Sequence, residues 1–563
     1  MKKVLIKSNF LPSKLALKIL REGKILQKNE TAEEMIKRVV NLIVEIEKKY
    51  NNDNSKIESF ANELINLLDQ KKIIFSTPIL TNAGTSKKRP LSACTVPPVN
   101  LMEDLSKIKK TINTYHEEGL GTGFNFDNLE DPLAMLHYLN QVALEGAASG
   151  KEDRPVGNIA LLSVDHPKIK EFIKAKPESN NNWKFNISIN ITDDFMSAYY
   201  NNQDFYLKNG QKCSPKEILQ LIANSSFLSG DPGVVFMDRL NKDNPVSSLG
   251  NYYSVAPCAE VGLIPGETCQ FAYLNLNKFF NKNRLFLKEE FIQAIRVVTR
   301  SLDNTLDVNI DNFQIKASSN ITRQKRKIGI GVCGVADLLV KLKIPYESRK
   351  ARKLIKDLII LINYISKDES SNLAAVRGSF LSFFDSLYKL KPNFIKQKYR
   401  NVKSEHVKKE DWLKLEKKID SQGLRNCSTV SLPPTGRSGL IIDASTGIEP
   451  FFNLFKFDKL HPELISDLKS LNLNIDEFEK LIFQNNSCQN LNLPKKIKKL
   501  YKKSVEISPF DQVKMIKEIQ KGVDESISKT INLNSNCKAE DVKNIILLAY
   551  AANLKGLTVY VNK

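Results

Sequence analysis

The sequence predicts an α/β protein built around a mostly parallel sheet or barrel and preceded by an N-terminal helical region. Three observations carry this. Between about residues 73 and 450, short β-like runs alternate with longer helical runs, the pattern of crossover connections. The first 72 residues show helical periodicity alone. The chain has 563 residues at 42% hydrophobic composition, enough for a large core and more than one structural unit.

In the helical region, "TAEEMIKRVVNLIVEIEKKY" opens on Thr31 with Glu34 three residues later, a capping box. Met35, Val39, Leu42, Ile43 and Ile46 recur at helical spacing, and "SKIESFANELINLLDQKK" repeats the pattern. Next come the strand-like pieces "KKIIFSTPILTNAGT", "GTGFNF", "GNIALLSV", "FNISINIT", "GVVFMDRL" and "SVAPCAEVGL". The helical pieces between them are "DPLAMLHYLNQVAL", "KEILQLIANSSFL", "EEFIQAIRVVTRSLDNTL" and "VADLLVKLKI". After Pro450 the pattern is helical, ending in a strand-like "GLTVYV". The expected units are residues 1–72 and 73–563.

Net charge is +21, from 84 Lys and Arg against 63 Asp and Glu. The lysines are spread along the chain, and the densest cluster, "LPKKIKKLYKKS", has helical spacing. That favours a solvated helix face over a nucleic-acid footprint. The opening "MKKVLIKSNF" has an apolar run of three residues, short of a signal peptide, and "LIILINYI" is far short of a bilayer span. The expectation is a cytoplasmic protein without membrane contact. Eight cysteines without a CxxC pair speak against a zinc ribbon, a thioredoxin motif or a secreted disulfide scaffold. The five histidines lack metal-ligand spacing, "YHEEG" reads as a solvated helix end, and no protein-bound metal is expected.

Two stretches could carry chemistry. In "APCAEVGL", Cys258 stands two residues before Glu260, and in an extended loop both side chains point one way. A neighbouring carboxylate raises a thiol pKa, so Cys258 is a poor thiolate nucleophile. A protonated thiol can instead lose a hydrogen atom while the carboxylate acts as base. The plainer alternative is a buried cysteine acting as a small apolar residue. In "LPPTGRSGLIIDASTGIEP", the loop Pro434, Thr435, Gly436, Arg437 and Ser438 offers backbone N–H groups and a cation to phosphate oxygens, or is a plain turn.

In this order, the fragments "STPILTNAGT", "PLSACTVPPV", "GTGFNFDNL", "FNISINITDDFM", "GDPGVVFMDRLNKDNP", "APCAEVGL", "ETCQFAYLNLNKF", "GLRNCSTVSLPPTG" and "KGLTVY" resemble the catalytic subunit of ribonucleotide reductase. The resemblance is greatest to the adenosylcobalamin-dependent class and runs from about Phe75 to Val561. It implies a ten-stranded α/β barrel with a central finger loop presenting Cys258 as the thiyl radical that takes the ribose 3′-hydrogen. It also implies Glu260 as base for the 3′-hydroxyl, Cys94 and Cys269 as the redox pair, and Thr77, Ser92, Ala93, Gly121 and Ala256 at substrate-contacting positions. Pro434–Ser438 falls on the substrate phosphate site. The reaction implied is reduction of ribonucleotides, expected to be diphosphates, to 2′-deoxyribonucleotides for DNA precursor synthesis.

Adenosylcobalamin is the expected cofactor, since the iron-dependent class ends in two adjacent tyrosines and this chain has only Tyr560 there. A nucleotide effector, a thioredoxin-like or other dithiol reductant and a homodimer are implied partners. The chain also departs from the pattern. Ala256 replaces an asparagine, and losing such a positioned hydrogen bond costs on the order of 10²–10³-fold in rate. The stretch "EGAASGKEDRPVGN" is short and carries Arg154 alone, and Arg437 and Ser438 are new in the phosphate loop. No cysteine pair follows Val561 and no ATP-cone precedes Phe75, so the expectation is a reducing tail on a separate polypeptide, a small dithiol protein acting directly, or lost turnover. The competing expectation is a catalytically impaired, nucleotide-binding paralogue.

Overall fold

The computed structural model describes residues 7–150, 155–176, 183–456 and 459–562. Arg154 and the first six residues of the basic opening lie outside this set. Three helices, α1 (Lys14–Glu22), α2 (Ala32–Glu45) and α3 (Asn54–Asp69), form the N-terminal region. The capping box at Thr31 is present in both directions: the Glu34 N–H donates to Thr31 Oγ1, and the Thr31 N–H donates to the Glu34 carboxylate. Met35, Ile36, Val39, Val40 and Ile43 of α2 are buried.

The strands follow in order as β1 (Ile73–Phe75), β2 (Cys94–Thr95), β3 (Gly121–Asn125), β4 (Asn158–Ser163), β5 (Phe185–Asn190), a small hairpin of β6 (Phe205–Tyr206) and β7 (Lys212–Cys213), and β8 (Gly233–Val235). The finger hairpin is β9 (Ser254–Val255) and β10 (Gly262–Leu263). Then come β11 (Thr268–Cys269), β12 (Phe271–Asn275), β13 (Gly329–Cys333), the outlying β14 (Phe455–Lys456) and β15 (Lys459–Leu460), β16 (Thr530–Leu533) and β17 (Gly556–Val561).

Register closes these strands into a ring. β2, β3, β4, β5 and β8 are parallel neighbours in that order. β12 runs parallel to β13; Ile330 of β13 pairs with Val430, and Leu432 pairs with Ile527. The chain from Ile527 runs on into β16, which is parallel to β17. The two parallel sets meet antiparallel at both seams: β17 against β8, and β2 against β11, which continues through Gln270 into β12. The ring therefore has ten staves in two halves of five, the barrel that the resemblance implies. The strands are buried almost throughout, as parallel strands covered by helices require.

The finger runs inside this barrel. A Cβ on Gly123 of β3 would lie 2.1 Å from the Val255 carbonyl oxygen, so only glycine admits the hairpin here. Ser254 Oγ donates to the Phe124 carbonyl at 3.0 Å, and Asn125 Nδ2 donates to the Tyr253 carbonyl at 2.9 Å.

Four local expectations change. "TPILTN" is helix α4 (Thr77–Asn82), not strand, because Pro78 suits a first helical turn and the strand ends at Phe75. "GVVFMDRL" is strand only to Val235 before a helix at Met237–Lys242. "SVAPCAEVGL" is a hairpin rather than one extended run. The end of α5 (Leu105–Glu117) is not solvated: Tyr115, His116 and Glu118 are buried. His116 Nε2 meets Asn158 Oδ1 at 3.0 Å, and Glu118 accepts from the Gln314 N–H at 3.0 Å. Burial lowers the His116 pKa to about 4 and raises that of Glu118 to about 7. Among the described residues, no helix is long and apolar enough to cross a membrane.

Candidate active site

Two strand ends and one loop build the site. β2 and β11 are antiparallel neighbours with Cys94 directly opposite Cys269. Opposed residues on antiparallel strands sit about 4.5–5.5 Å apart at Cα, inside the roughly 4.4–6.8 Å a disulfide accepts. Both are thiols here, Cys94 half-buried and Cys269 buried. Cys269 Sγ donates to the Cys94 carbonyl at 3.8 Å. Burial, then the Cys94 thiol and the Glu260 carboxylate, push the Cys269 pKa far up, so this thiol stays protonated at neutral pH.

Glu260 descends from the finger onto this pair. One carboxylate oxygen of Glu260 and the two sulfurs all lie within 4.8 Å of one another. The carboxylate is buried, and among the described residues its Oε2 has no hydrogen-bond partner. Burial raises its pKa to about 7, partly offset by the N–H groups of Glu260 and Cys258. The residue is thus poised to exchange a proton at neutral pH. Its backbone carbonyl is held by the Ser431 hydroxyl at 2.8 Å and the Ser526 N–H at 3.0 Å.

Cys258 occupies the fingertip, and here the sequence reading is corrected. The loop is a tight turn, not extended. The Ala259 N–H donates to the Ala256 carbonyl at 2.7 Å, Ala259 has φ +57°, and the Ala256 N–H closes onto the Val261 carbonyl at 3.0 Å. The i, i+2 rule therefore fails. Glu260 turns inward to the cysteine pair, while Cys258 is exposed and lines a cavity of about 260 Å³ with Asn186, Ser188, Thr558 and Tyr560. The plain reading of Cys258 as a buried apolar residue fails with it.

The other expected positions divide into those beside the cysteine pair and those away from it. The Ala93 N–H donates to the Cys269 carbonyl at 2.7 Å, and its own carbonyl accepts from Gly121 at 2.9 Å. A Cβ on Gly121 would lie 2.6 Å from the Gly157 carbonyl oxygen, with Pro257 at 3.2 Å and Cys94 Sγ at 3.4 Å, so glycine is needed for the close approach of the chain entering β4, beside the finger and the Cys94 strand. Ser92 is wholly buried; its hydroxyl accepts from Asn309 Nδ2 at 2.8 Å and donates to Thr268 at 3.1 Å. Thr77 opens α4, next to Ser76, whose N–H donates to the Phe271 carbonyl at 2.9 Å. Ala256 is buried with both backbone groups used in the turn.

The Pro434–Ser438 loop reaches the site through Tyr273, whose hydroxyl donates to the Pro434 carbonyl at 3.3 Å. Thr435 Oγ1 accepts from the Gly447 N–H at 3.0 Å, and Ser438 is buried at the start of the helix Gly436–Ile441. Arg437 points away from the thiols and lines a separate cavity of about 270 Å³ with Lys24 and Lys184.

Sequence reasoning missed Tyr273, Ser431 and Ser526. Tyr273 is buried, and its ionisation is opposed first by burial, then by Glu260, Cys258 and Cys269. Its signal was available, since it follows Cys269 by four residues on one strand face. Ser431 and Ser526 carry no such signal, since they arrive from two distant staves.

Two sequence families match the chain: "Ribonucleotide reductase, all-alpha domain" over residues 10–88 and "Ribonucleotide reductase, barrel domain" over residues 92–560. A vitamin B12-dependent ribonucleoside-diphosphate reductase of Thermoplasma acidophilum is 29% identical over 535 residues, covering 90% of this chain and 65% of that protein. The chain thus spans under two thirds of that relative's length. A protein of the same description from Mycobacterium tuberculosis strain H37Rv is 28% identical over 586 residues, covering 97% of this chain and 77% of its own. Among solved structures, the class Id ribonucleotide reductase alpha subunit of Actinobacillus ureae superposes with a TM-score of 0.78 at 18% identity, covering 99% of this chain and 98% of that one.

Proposed function

The chain belongs to the ribonucleotide reductase large-subunit family, and from that premise we propose that it reduces ribonucleoside diphosphates to 2′-deoxyribonucleotides. The observation that carries the reading is the juxtaposition of Cys94, Cys269 and the Glu260 carboxylate within 4.8 Å beneath a finger tipped by Cys258. In this reading the Cys258 sulfur, once it has lost its hydrogen atom, takes the hydrogen from ribose C3′. Glu260 accepts the 3′-hydroxyl proton, for which a carboxyl pKa near 7 is suited. The 2′-oxygen leaves as water. Cys94 and Cys269 give up two electrons and two protons and end as a disulfide, and Cys258 returns a hydrogen atom to C3′. The balance is one ribonucleotide and two thiols to one deoxyribonucleotide, one disulfide and one water. Pre-pairing across two strands suits this step, since directly opposed residues already stand within the Cα range a disulfide accepts.

The names of the B12-dependent relatives support a cobalamin cofactor, and adenosylcobalamin is the form we infer. The site's residues fit it. The Cys258 thiol is exposed, and the cavity it lines is sized for a nucleoside end, with Asn186, Ser188 and Thr558 to hold its polar groups. When bound, that group supplies the carbon radical chemistry that draws a hydrogen atom from a thiol. Thr77, Ala93 and Gly121 are the positions we assign to substrate contact, and Pro434–Ser438 to its phosphates. A dithiol protein as reductant, a nucleotide effector and a homodimer complete the proposal.

The test is direct. Purified protein with adenosylcobalamin, a small dithiol and each ribonucleoside diphosphate is assayed for deoxynucleotide, beside Cys258→Ser. Product lost in the variant is the expected result. Nucleotide binding without product above the variant's background overturns the reading and favours the impaired paralogue.

A further inference from the structure

We propose that the reduced Cys94–Cys269 pair and Glu260 together form a binding site for a thiophilic divalent cation of the zinc–cadmium class. Two sulfurs and a carboxylate oxygen lie mutually within 4.8 Å. A tetrahedral ion that holds sulfur at about 2.3 Å sets neighbouring donors roughly 3.5–4 Å apart, so small side-chain rotations complete the set. Glu260 is 3% exposed, and among the described residues its Oε2 has no hydrogen-bond partner, a free acceptor on the carboxylate that meets the two sulfurs. Cys269 is 2% exposed, whereas Cys94 is half-buried and leaves a way in.

The donor chemistry selects the ion. Two thiolates and one carboxylate favour a soft or borderline d¹⁰ cation over magnesium or calcium, which require oxygen ligands. Three protein donors leave a fourth position for water, the arrangement of an open rather than a closed zinc site. Each bound ion displaces the thiol protons, so affinity rises with pH. The site exists only while both thiols are reduced, because a disulfide offers no thiolate. An occupied triad would shield the pair from oxidation and withhold it from any substrate. This inference rests on the three donors and stands or falls separately from the reductase reading.

The test uses the full chain, reduced and desalted without oxygen, and titrated with Cd²⁺ while the thiolate-to-cadmium charge-transfer absorption is followed against a competing chelator. We expect one strong site. Cys94→Ser, Cys269→Ser and Glu260→Gln should each weaken it at least about tenfold, the scale of losses seen even for outer partners of metal ligands. Parent affinity retained in all three variants overturns the proposal, and parent affinity retained in Glu260→Gln alone overturns the three-donor assignment. A second arm avoids substitution. The native chain is oxidised with a diazenedicarboxamide, which takes two electrons and two protons from the pair, and the Cys94–Cys269 disulfide is verified by mass mapping. Loss of the strong site is expected; its persistence overturns the proposal. Mg²⁺ at the same concentration should neither produce the band nor compete.

Discussion

Glu260 and Glu267 are seven residues apart, both are buried, and their electrostatics are opposite. Glu267 lies against Lys325 at 2.8 Å and Lys327 at 3.0 Å. Burial raises its pKa, the two ammonium groups together lower it by more, and the net shift is downward. Lys327 also reaches Glu525 at 3.2 Å and the Gly262 carbonyl at 2.8 Å, so the ion network grips the base of the finger. Glu260 has no cation among its causes of shift, only burial and two backbone N–H groups, and its pKa rises to about 7. One carboxylate is neutralised to hold a loop. The other, near the loop's tip, meets no compensating cation among the described residues, and it is the group proposed as the base. The lesson is that burial alone does not set a carboxylate's charge; the nearest ammonium group does.

Substitutions can break that comparison. Glu260→Gln should lower turnover by about 10²–10⁴-fold, the range of a lost general base, without a loss of folding stability. Steady-state kinetics and denaturant unfolding on the same preparation measure both. Glu267→Gln should do the reverse in kind. It leaves two buried lysines short of a partner and should destabilise by about 3–5 kcal/mol in urea unfolding.

The pH dependence sharpens the contrast. Glu260 has its folded pKa raised, so its contribution to stability is fully present below about pH 4.5 and is lost as pH rises through about 7. Glu267 has its folded pKa depressed, so its contribution is present above its unfolded value and is lost as pH falls through the folded one. Unfolding free energies should therefore show Glu260→Gln gaining on the parent between pH 5 and pH 8, by up to roughly 3 kcal/mol. Over the same range the acid limb of kcat/KM should rise through about pH 7. The smallest effect belongs to Tyr273→Phe. It removes one hydroxyl bonded to the Pro434 carbonyl and should cost about 1 kcal/mol in stability, with a larger rise in KM than fall in kcat if the loop holds substrate.

Much of the fold was legible because each cue is local. The Thr31 capping box, the helical spacing of α2 and α3, and the apolar runs of β4 and β5 need only nearby residues to be read. The misreadings were local too. Pro78 sits within a strand-like run yet opens a first helical turn, and "YHEEG" reads as a solvated helix end yet buries Tyr115, His116 and Glu118. The cysteine pair was legible only through family resemblance, since 175 residues separate Cys94 from Cys269 and no spacing rule links them.

By itself, the sequence determined the alternation of helical and strand-like segments and, through motif order, the identities of the four residues proposed for the chemistry. Periodicity, capping and motif order are properties of the chain. Only the tertiary structure decided that Cys94 faces Cys269, that Glu260 turns to them while Cys258 lies exposed at the tip, and that among the described residues no cation meets the Glu260 carboxylate. The reason is geometric and electrostatic. Register across a seam between distant strands, a single left-handed residue at Ala259, and the distance from a carboxylate to the nearest ammonium group exist only after the barrel has closed.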